Sequence, residues 1–461
     1  MKFFEHKVVV GKSAFPILFM AFGAALFPSP SVADSNSKIK AIEEQLERIT
    51  EELEQEKEHR RNLEKLIEEL TIQGEAPSPT AETSPEPMVN PESEPPAGAE
   101  GELLEGETTT PLVFSEEKYS RGPEFTGGLT GILQGSSKTA RGDGQTNASA
   151  VLDMEIVYSQ NDIYYLIIGA KAWSGRGLDP ALATDIPVNY GAERLAGDKD
   201  EGIIISHAYL EGLFLEKRFI ISAGKMDVSS LFDENILAGS EKTAFVSGAF
   251  NRASGIVGKS LEPLFSPALR IILTPAPWAE FQAIYAHSGF DHLERNPYLV
   301  AQLSFRPSMG GLEGNYRFYY VSDGREYHDL GGAETRSNRV MGLSFDQFVT
   351  DHMGFFLRYA TTDDTIKENR VASMASGGLT FSGGLWGRWD DLIGIGYARL
   401  GLNDNIDNSA NSDGQTALEI YYNARLNPMI AITPDVQLHS NLPTAQDRDI
   451  TIVALRAQMD F

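Results

Sequence analysis

From Val113 onward, apolar and polar residues alternate in short segments separated by Gly, Asn, Asp and Pro clusters. Period-two alternation places successive side chains on opposite faces of a β-strand. Sixteen such segments can be drawn, near 125–133, 148–158, 163–173, 203–214, 218–225, 268–274, 278–287, 297–306, 312–321, 338–348, 353–361, 375–384, 392–401, 416–426, 430–440 and 450–461. In the segment 416–426, Leu418, Ile420, Tyr422, Ala424 and Leu426 share one face, and Glu419, Tyr421, Asn423 and Arg425 the other. In the last segment, Val453, Leu455, Ala457, Met459 and Phe461 oppose Ala454, Arg456, Gln458 and Asp460, with Ile452 out of pattern. Segment 392–401 fits poorly, because Ile393, Ile395 and Tyr397 share a face with Arg399.

A soluble sandwich would need a second apolar sheet, or helices, to cover these apolar faces. None follows, and the polar faces mix Glu with Arg. An apolar exterior around a water-filled lumen satisfies both faces. About 22 residues per strand and connection suits spanning strands of ~9–11 residues. The sequence therefore predicts a transmembrane antiparallel β-barrel of about sixteen strands over 113–461. A terminal aromatic, Phe461, closing an alternating strand is the expected end of an outer-membrane barrel.

Two other patterns precede it. Ile39, Ile42, Leu46, Ile49 and Leu53 recur at spacings of three and four; Glu56 and Arg60 hold the next two seam positions before Leu63, Ile67 and Leu70 resume. This predicts an α-helical coiled coil over 38–72. Leu46 and Leu53 at a with Ile42 and Ile49 at d lean toward more than two strands, and a length near five heptads leaves the oligomer state open. A lone charged helix is the simpler alternative. From 74 to 112 Pro, Glu, Ser and Thr dominate, a composition that cannot bury a core and predicts an extended linker. Ahead of both, Lys2, Lys7 and Lys12 lead into an apolar run from Ala14 to Phe27 and then Ser31-Val32-Ala33. That order predicts a signal peptide over 1–33, cleaved before Asp34. The run is too short to span a bilayer as a helix, for which ~20 residues are needed.

Charge and composition narrow the function. The chain of 461 residues carries a formal charge of −26 and no Cys. Residues 35–112 hold 20 Glu and 7 Lys or Arg, half of that excess. An acidic chain without a basic patch is a poor nucleic-acid binder. Without Cys there are no disulfides and no thiolate chemistry. Asp291-His292 and Asp351-His352 come with no nucleophile motif and lie at turns, so no enzyme activity, cofactor or metal is expected. Arg141-Gly142-Asp143 reads as a turn.

The longest connection, 226–267, carries the remaining motifs. It opens on Gly224-Lys225-Met226-Asp227, continues through Leu231-Phe232-Asp233-Glu234-Asn235, and reaches Ala238-Gly239-Ser240-Glu241-Lys242-Thr243-Ala244-Phe245. Together with Ile432-Thr433-Pro434-Asp435-Val436-Gln437, these resemble the Gly-Lys-x-Asp, Phe-Asp-x-Asn, Thr-x-Phe and Thr-Pro patterns of the carbohydrate-selective porin family, OprB type. The resemblance implies a sixteen-stranded porin in the outer membrane, with a loop folded inward to narrow the lumen. It makes Lys225, Asp227, Asp233 and Asn235 candidates for the constriction, and Glu211, Glu280, Arg317, Arg358, Glu419, Arg425 and Arg456 candidates for the wall. Carboxylates and guanidiniums of mixed sign can replace water on sugar hydroxyls without trapping an ion. For each residue the competing role is a salt bridge that only stabilises the barrel.

The expected partners are small carbohydrates, outer-membrane lipid and lipopolysaccharide. Further copies of the chain, as in a trimer joined by the coiled coil, and peptidoglycan are candidate partners of the periplasmic arm. Two rival roles stand beside the sugar pore. An anion- or phosphate-selective porin would need a ladder of basic residues, whereas 113–461 holds 43 acidic and 29 basic residues. The other rival is a tether between outer membrane and cell wall.

Overall fold

The structure is a computed structural model describing residues 122–461 apart from 141, 160, 162, 183, 197–198, 258–264, 288–295, 336–337, 407–413 and 443–448. The expected signal peptide (1–33), coiled coil (38–72) and linker (74–112) lie outside the described residues.

Sixteen long strands form one closed antiparallel sheet. They are β1 Gly122–Ser136, β2 Thr146–Ser159, β3 Tyr164–Ser174, β4 Glu201–Phe214, β5 Phe219–Met226, β6 Ser266–Ala276, β7 Ala279–Ala286 and β8 Tyr298–Phe305. The second half adds β9 Leu312–Asp323, β10 Asn338–Thr350, β11 Met353–Thr362, β12 Val371–Ser382, β13 Leu392–Leu402, β14 Thr416–Asn427, β15 Ile430–Ser440 and β16 Ile450–Asp460. Each of the sixteen segments expected from alternation corresponds to one strand. Consecutive strands pair throughout, and β1 closes on β16 from Gly128↔Asp460 to Ser136↔Ile452. Closure leaves no unpaired sheet edge, which a bilayer would not tolerate. Phe461 extends the seam: its N–H donates to Gly127 O at 2.9 Å, and its carbonyl accepts from Gly127 N at 2.8 Å.

Alternation sorts the residues as expected. On β16, Val453 and Leu455 face outward while Ile452, Ala454 and Arg456 are buried inside. On β14, Ile420 and Leu426 are exposed, and Glu419, Tyr421 and Asn423 are buried. Connections at the end shared by β1's start and β16's end are mostly short, such as Pro428–Met429. The long ones lie at the opposite end, which porin architecture assigns to the extracellular side.

The two segments that broke the pattern differ in cause: Arg399 is an outward residue at the strand end, and Ile452 is inward against protein. On β13 the inward row is Gly394, Gly396, Ala398 and Leu400, with Arg399 outward at the strand's extracellular end. A Cβ at Gly396 would come within 2.7 Å of Phe250 Cε1 and 2.9 Å of Phe245 Cε1. Ile452 packs against Leu178, Leu182 and Val188. In both places the lumen wall meets protein rather than water.

Candidate functional site

The connection after β5 turns into the barrel. Gly224 prepares the turn: its φ of 147° suits glycine, and a Cβ there would sit 2.4 Å from Ala208 O. Beyond it, Phe232, Asp233, Asn235, Phe245 and Phe250 have no exposed surface. The segment includes two short helices, α2 Gly248–Asn251 and α3 Ala253–Val257, after the helix α1 Tyr190–Ala196 of the preceding loop.

A buried loop must find partners for its backbone groups, and the wall provides them. Glu419 on β14 accepts from Val246 N at 2.6 Å and Ser247 N at 3.0 Å. Gln282 on β7 donates to Leu231 O at 2.6 Å, and Arg456 on β16 to Glu241 O at 2.8 Å. Ser344 on β10 donates to Glu234 O at 2.6 Å. Arg358 on β11 pairs with the Asp233 carboxylate at 2.7 Å. An aromatic seat completes the docking, with Phe245 lying 4.6 Å from Phe250, 5.3 Å from Phe356 and 4.9 Å from Tyr421 between ring centroids.

The sequence led to the expectation of one inward loop; the described residues show two. Residues 175–196, after β3, also enter the lumen. Val188 O accepts from Gln134 Nε2 at 2.9 Å and Gln437 Nε2 at 3.1 Å. The two loops lock together: Tyr190 N donates to Val246 O at 3.0 Å, Gly248 N donates to Pro187 O at 2.8 Å, and Arg194 is ion-paired with Asp227. The apolar stretch around Ile186-Pro187-Val188, inside a connection otherwise rich in Gly and Asp, was the available signal.

The structure distributes the candidate residues as follows. Asp233 and Asn235 are brought together with Arg317 and Arg358. Arg317 pairs with Asp346 at 2.9 Å and donates to Glu234 O at 3.3 Å. Asn235 accepts from Leu237 N and Ala238 N at 3.2 and 3.1 Å, and donates to Ser344 Oγ at 3.2 Å. Asp227 belongs to the junction between the loops, and Glu419 and Arg456 hold the far side of the loop after β5. Glu211 accepts from Ser222 Oγ at 2.7 Å, and Glu280 pairs with Arg306 at 2.7 Å. Arg425 sits at the periplasmic end, 3.5 Å from Asp460. Lys225 is half-buried in register with Ala208 and Pro267, apart from the Asp233 cluster.

Charge in the loops is shaped by burial. Burial alone would raise Asp227, yet the Arg194 guanidinium and the hydrogen bond from Ser229 hold its carboxyl below the usual range. At Glu234 burial prevails over Arg317 and Arg252, and the carboxyl is raised.

These anchors draw the loop after β5 onto β7–β14 and β16. On the β1–β3 side its tip meets charged wall residues that the candidate set missed. Asp153 on β2 is paired with Lys171 on β3 and, at 3.0 Å, with Lys242 on the loop. Below it, His207 Nε2 lies 2.9 Å from Glu155. Thr130, Ser149, Asp153, Asn189, Glu241 and Lys242 surround a cavity of about 20 Å³. Asp153 and Lys171 each occupy an inward polar position of an alternating strand, so their facing was readable. Their convergence on Lys242 was not, because it depends on where the loop tip lands.

A model of the family described as "Carbohydrate-selective porin, OprB family" matches residues 137–461. The chain belongs to the carbohydrate-selective porin family. It is thus an outer-membrane porin for carbohydrates, and its fold and family are those of a channel. Among solved structures, the high-pH structure of OprB from Pseudomonas putida is similar at 16% identity and a TM-score of 0.64, covering 74% of this chain and 94% of that one. The low-pH structure of the same protein aligns at 13% identity and a TM-score of 0.47, over 74% of this chain and 93% of that one. DcaP, an outer-membrane channel of Acinetobacter baumannii, aligns at 12% identity and 0.49, over 74% of this chain and 97% of that one. No curated protein matches. In this OprB-family porin the Gly-Lys-x-Asp motif spans the end of β5, where Gly224 opens the turn, and the Phe-Asp-x-Asn and Thr-x-Phe motifs fall on the inward loop, where Asp233 and Asn235 tie it to the wall and Phe245 seats it.

Proposed function

We propose that the porin passes small neutral sugars by passive diffusion, through the part of the lumen that its two inward loops leave open. The observation that carries this reading is the pairing of charge along the inner wall and between wall and loop. Arg317, Arg358 and Arg306 each face a carboxylate at 2.9 Å or less, so these inward arginines form no ladder of unmatched positive charge. Balanced polar walls favour uncharged hydroxylated solutes over ions of either sign. Candidate residues held by the loop, Asp233, Asn235, Arg317, Arg358, Glu419 and Arg456, set the width of the passage by fixing the loop. No catalytic step is proposed.

The purified protein in a planar bilayer should conduct in steps, and the current should fall when a neutral sugar is added. Block by phosphate with indifference to sugar would favour an anion-selective porin instead. The arm is a separate module in this reading: the coil over 38–72 associates copies of the chain, as in a trimer, or reaches peptidoglycan, while the barrel meets lipid and lipopolysaccharide. Deleting 34–112 should leave conductance unchanged and alter oligomer stability or cell-wall retention. Loss of conductance would refute this modular division.

A further inference from the structure

The outer wall carries a level line of tyrosines. Strands of a closed barrel tilt, and here one row of paired residues climbs from Phe219 at the periplasmic start of β5 to Arg399 near the extracellular end of β13. A line of constant height, followed from β13 toward β5, must therefore step up the strands as the rows descend. Tyr397 on β13 pairs through Gly377 with Leu357, and two residues up β11 is Tyr359. Tyr359 pairs through Leu343 with Phe318, and two residues up β9 is Tyr320. Tyr320 pairs through Ala301 with Ala283, and two residues up β7 is Tyr285. Tyr320, Tyr359 and Tyr397 are exposed on the outer face, and Tyr285 is half-buried there. Outward tyrosines at one height, on the side of the long loops, mark the headgroup boundary of the outer leaflet.

The same step taken once more, from Tyr285 through Leu269 to Ala223 and two residues up β5, ends on Lys225. Its facing agrees. Ile220, Ser222 and Met226 of β5 are buried inside, which puts Lys225 on the outer face with the exposed Ala223. The lysine expected at the constriction is thus on the other side of the wall, where a tyrosine would continue the series. A charge facing lipid is costly at the bilayer midplane but not at the interface, where a long stem lets the ammonium reach the headgroups. Beyond the girdle, the outward face of β9–β14 presents Ser322, Arg339, Thr361, Ser373, Arg399 and Thr416. These are two guanidiniums and four hydroxyls without a carboxylate, in a chain whose formal charge is −26. Such a band complements an anion rich in oxygen acceptors, and guanidiniums fit phosphate by paired hydrogen bonds. We infer that Lys225, Arg339 and Arg399 form a collar on the outer wall that binds the phosphate groups of the outer-leaflet glycolipid, lipopolysaccharide. This deepens the reading of a barrel that meets lipopolysaccharide, and rests on it.

The test uses the full-length protein in detergent, with fluorescently labelled lipopolysaccharide and the same lipid stripped of phosphate as probes. Single-channel conductance in planar bilayers is the second readout. Lys225→Gln, Arg339→Gln and Arg399→Gln should each weaken binding of the intact lipid about fivefold. Combined at well-separated sites, they should weaken it on the order of a hundredfold. Conductance should stay at the wild-type value throughout, because none of the three faces the lumen. The wild type should bind the phosphate-free lipid as weakly as the triple variant binds the intact one. Lys225→Tyr, which continues the girdle, should lose binding as Lys225→Gln does, and decides the matter if the triple variant does not assemble. Lys217→Gln, at a periplasmic turn, should match the wild type. Undiminished binding in the triple variant or in Lys225→Tyr, or equal affinity for the two lipids, overturns the collar. So does altered conductance in Lys225→Gln with binding intact, which would return Lys225 to the channel. Stepwise conductance of the wild type tests the porin reading separately, whatever the lipid does.

Discussion

Arg358 of β11 and Asp233 of the inward loop meet at 2.7 Å with both side chains fully buried. Asp233 adopts a left-handed φ of 54°, which turns its main-chain carbonyl to the same guanidinium at 2.5 Å. Its second carboxylate oxygen accepts from Ser254 N at 2.9 Å. One aspartate thus ties the wall, the loop's turn and the start of α3.

Removing either partner should therefore release the loop. Arg358→Ala leaves the Asp233 carboxylate buried without its counter-charge, and breaking a buried pair costs about 3–5 kcal/mol. Larger, noisier single-channel currents and a lower unfolding temperature are expected. Currents as quiet as the wild type's would show that the loop is held elsewhere.

Asn235→Ala should act in the same direction but less strongly. It removes the acceptor for Leu237 N and Ala238 N and the link to Ser344. Leaving buried donors unsatisfied costs about 1–3 kcal/mol. The check is urea unfolding of the detergent-solubilised protein, where the midpoint should fall while the barrel still assembles.

The junction between the two loops should loosen in acid. The Asp227 carboxyl is depressed in the folded protein, so its contribution is complete above its unfolded value and lost as pH falls through the folded one. Current noise should stay flat from pH 7 down to the ordinary aspartate range, about 3.9, and rise below it. Asp227→Asn should show a raised baseline and lose this dependence. An unchanged acid response in that variant would remove Asp227 as its source.

Gly396→Val tests the seat of the loop. The added side chain would collide with Phe250 and Phe245, which a Cβ already meets at 2.7 and 2.9 Å. Overpacking of this kind costs about 1–3 kcal/mol. The variant should conduct more noisily, whereas Gly332→Val, in open space at an exposed loop, tests backbone strain alone and should leave the current unchanged.

How much was legible can be followed residue by residue. Alternation placed Glu419, Arg358 and Arg456 on the inside because facing depends on strand period alone. It missed the inward turn of the connection after β3, since a loop has no period and its burial depends on what the barrel leaves open. Of the two anomalies, Ile452 was a mark of that hidden packing, whereas Arg399 lies on the outward face of β13 at its extracellular end. The Lys242 contact with Asp153 was unreadable because these residues are 89 positions apart in the chain and meet through loop docking.

By itself the sequence determined the barrel: sixteen alternating segments, neighbour paired to neighbour, with polar faces turned inward. These properties follow from strand period and from the need to satisfy every backbone group in a bilayer. Only the tertiary structure decided what the inward charges do. Most of the residues that read as channel lining are spent mooring two buried loops, because a loop inside the lumen must recover its hydrogen bonds from the wall.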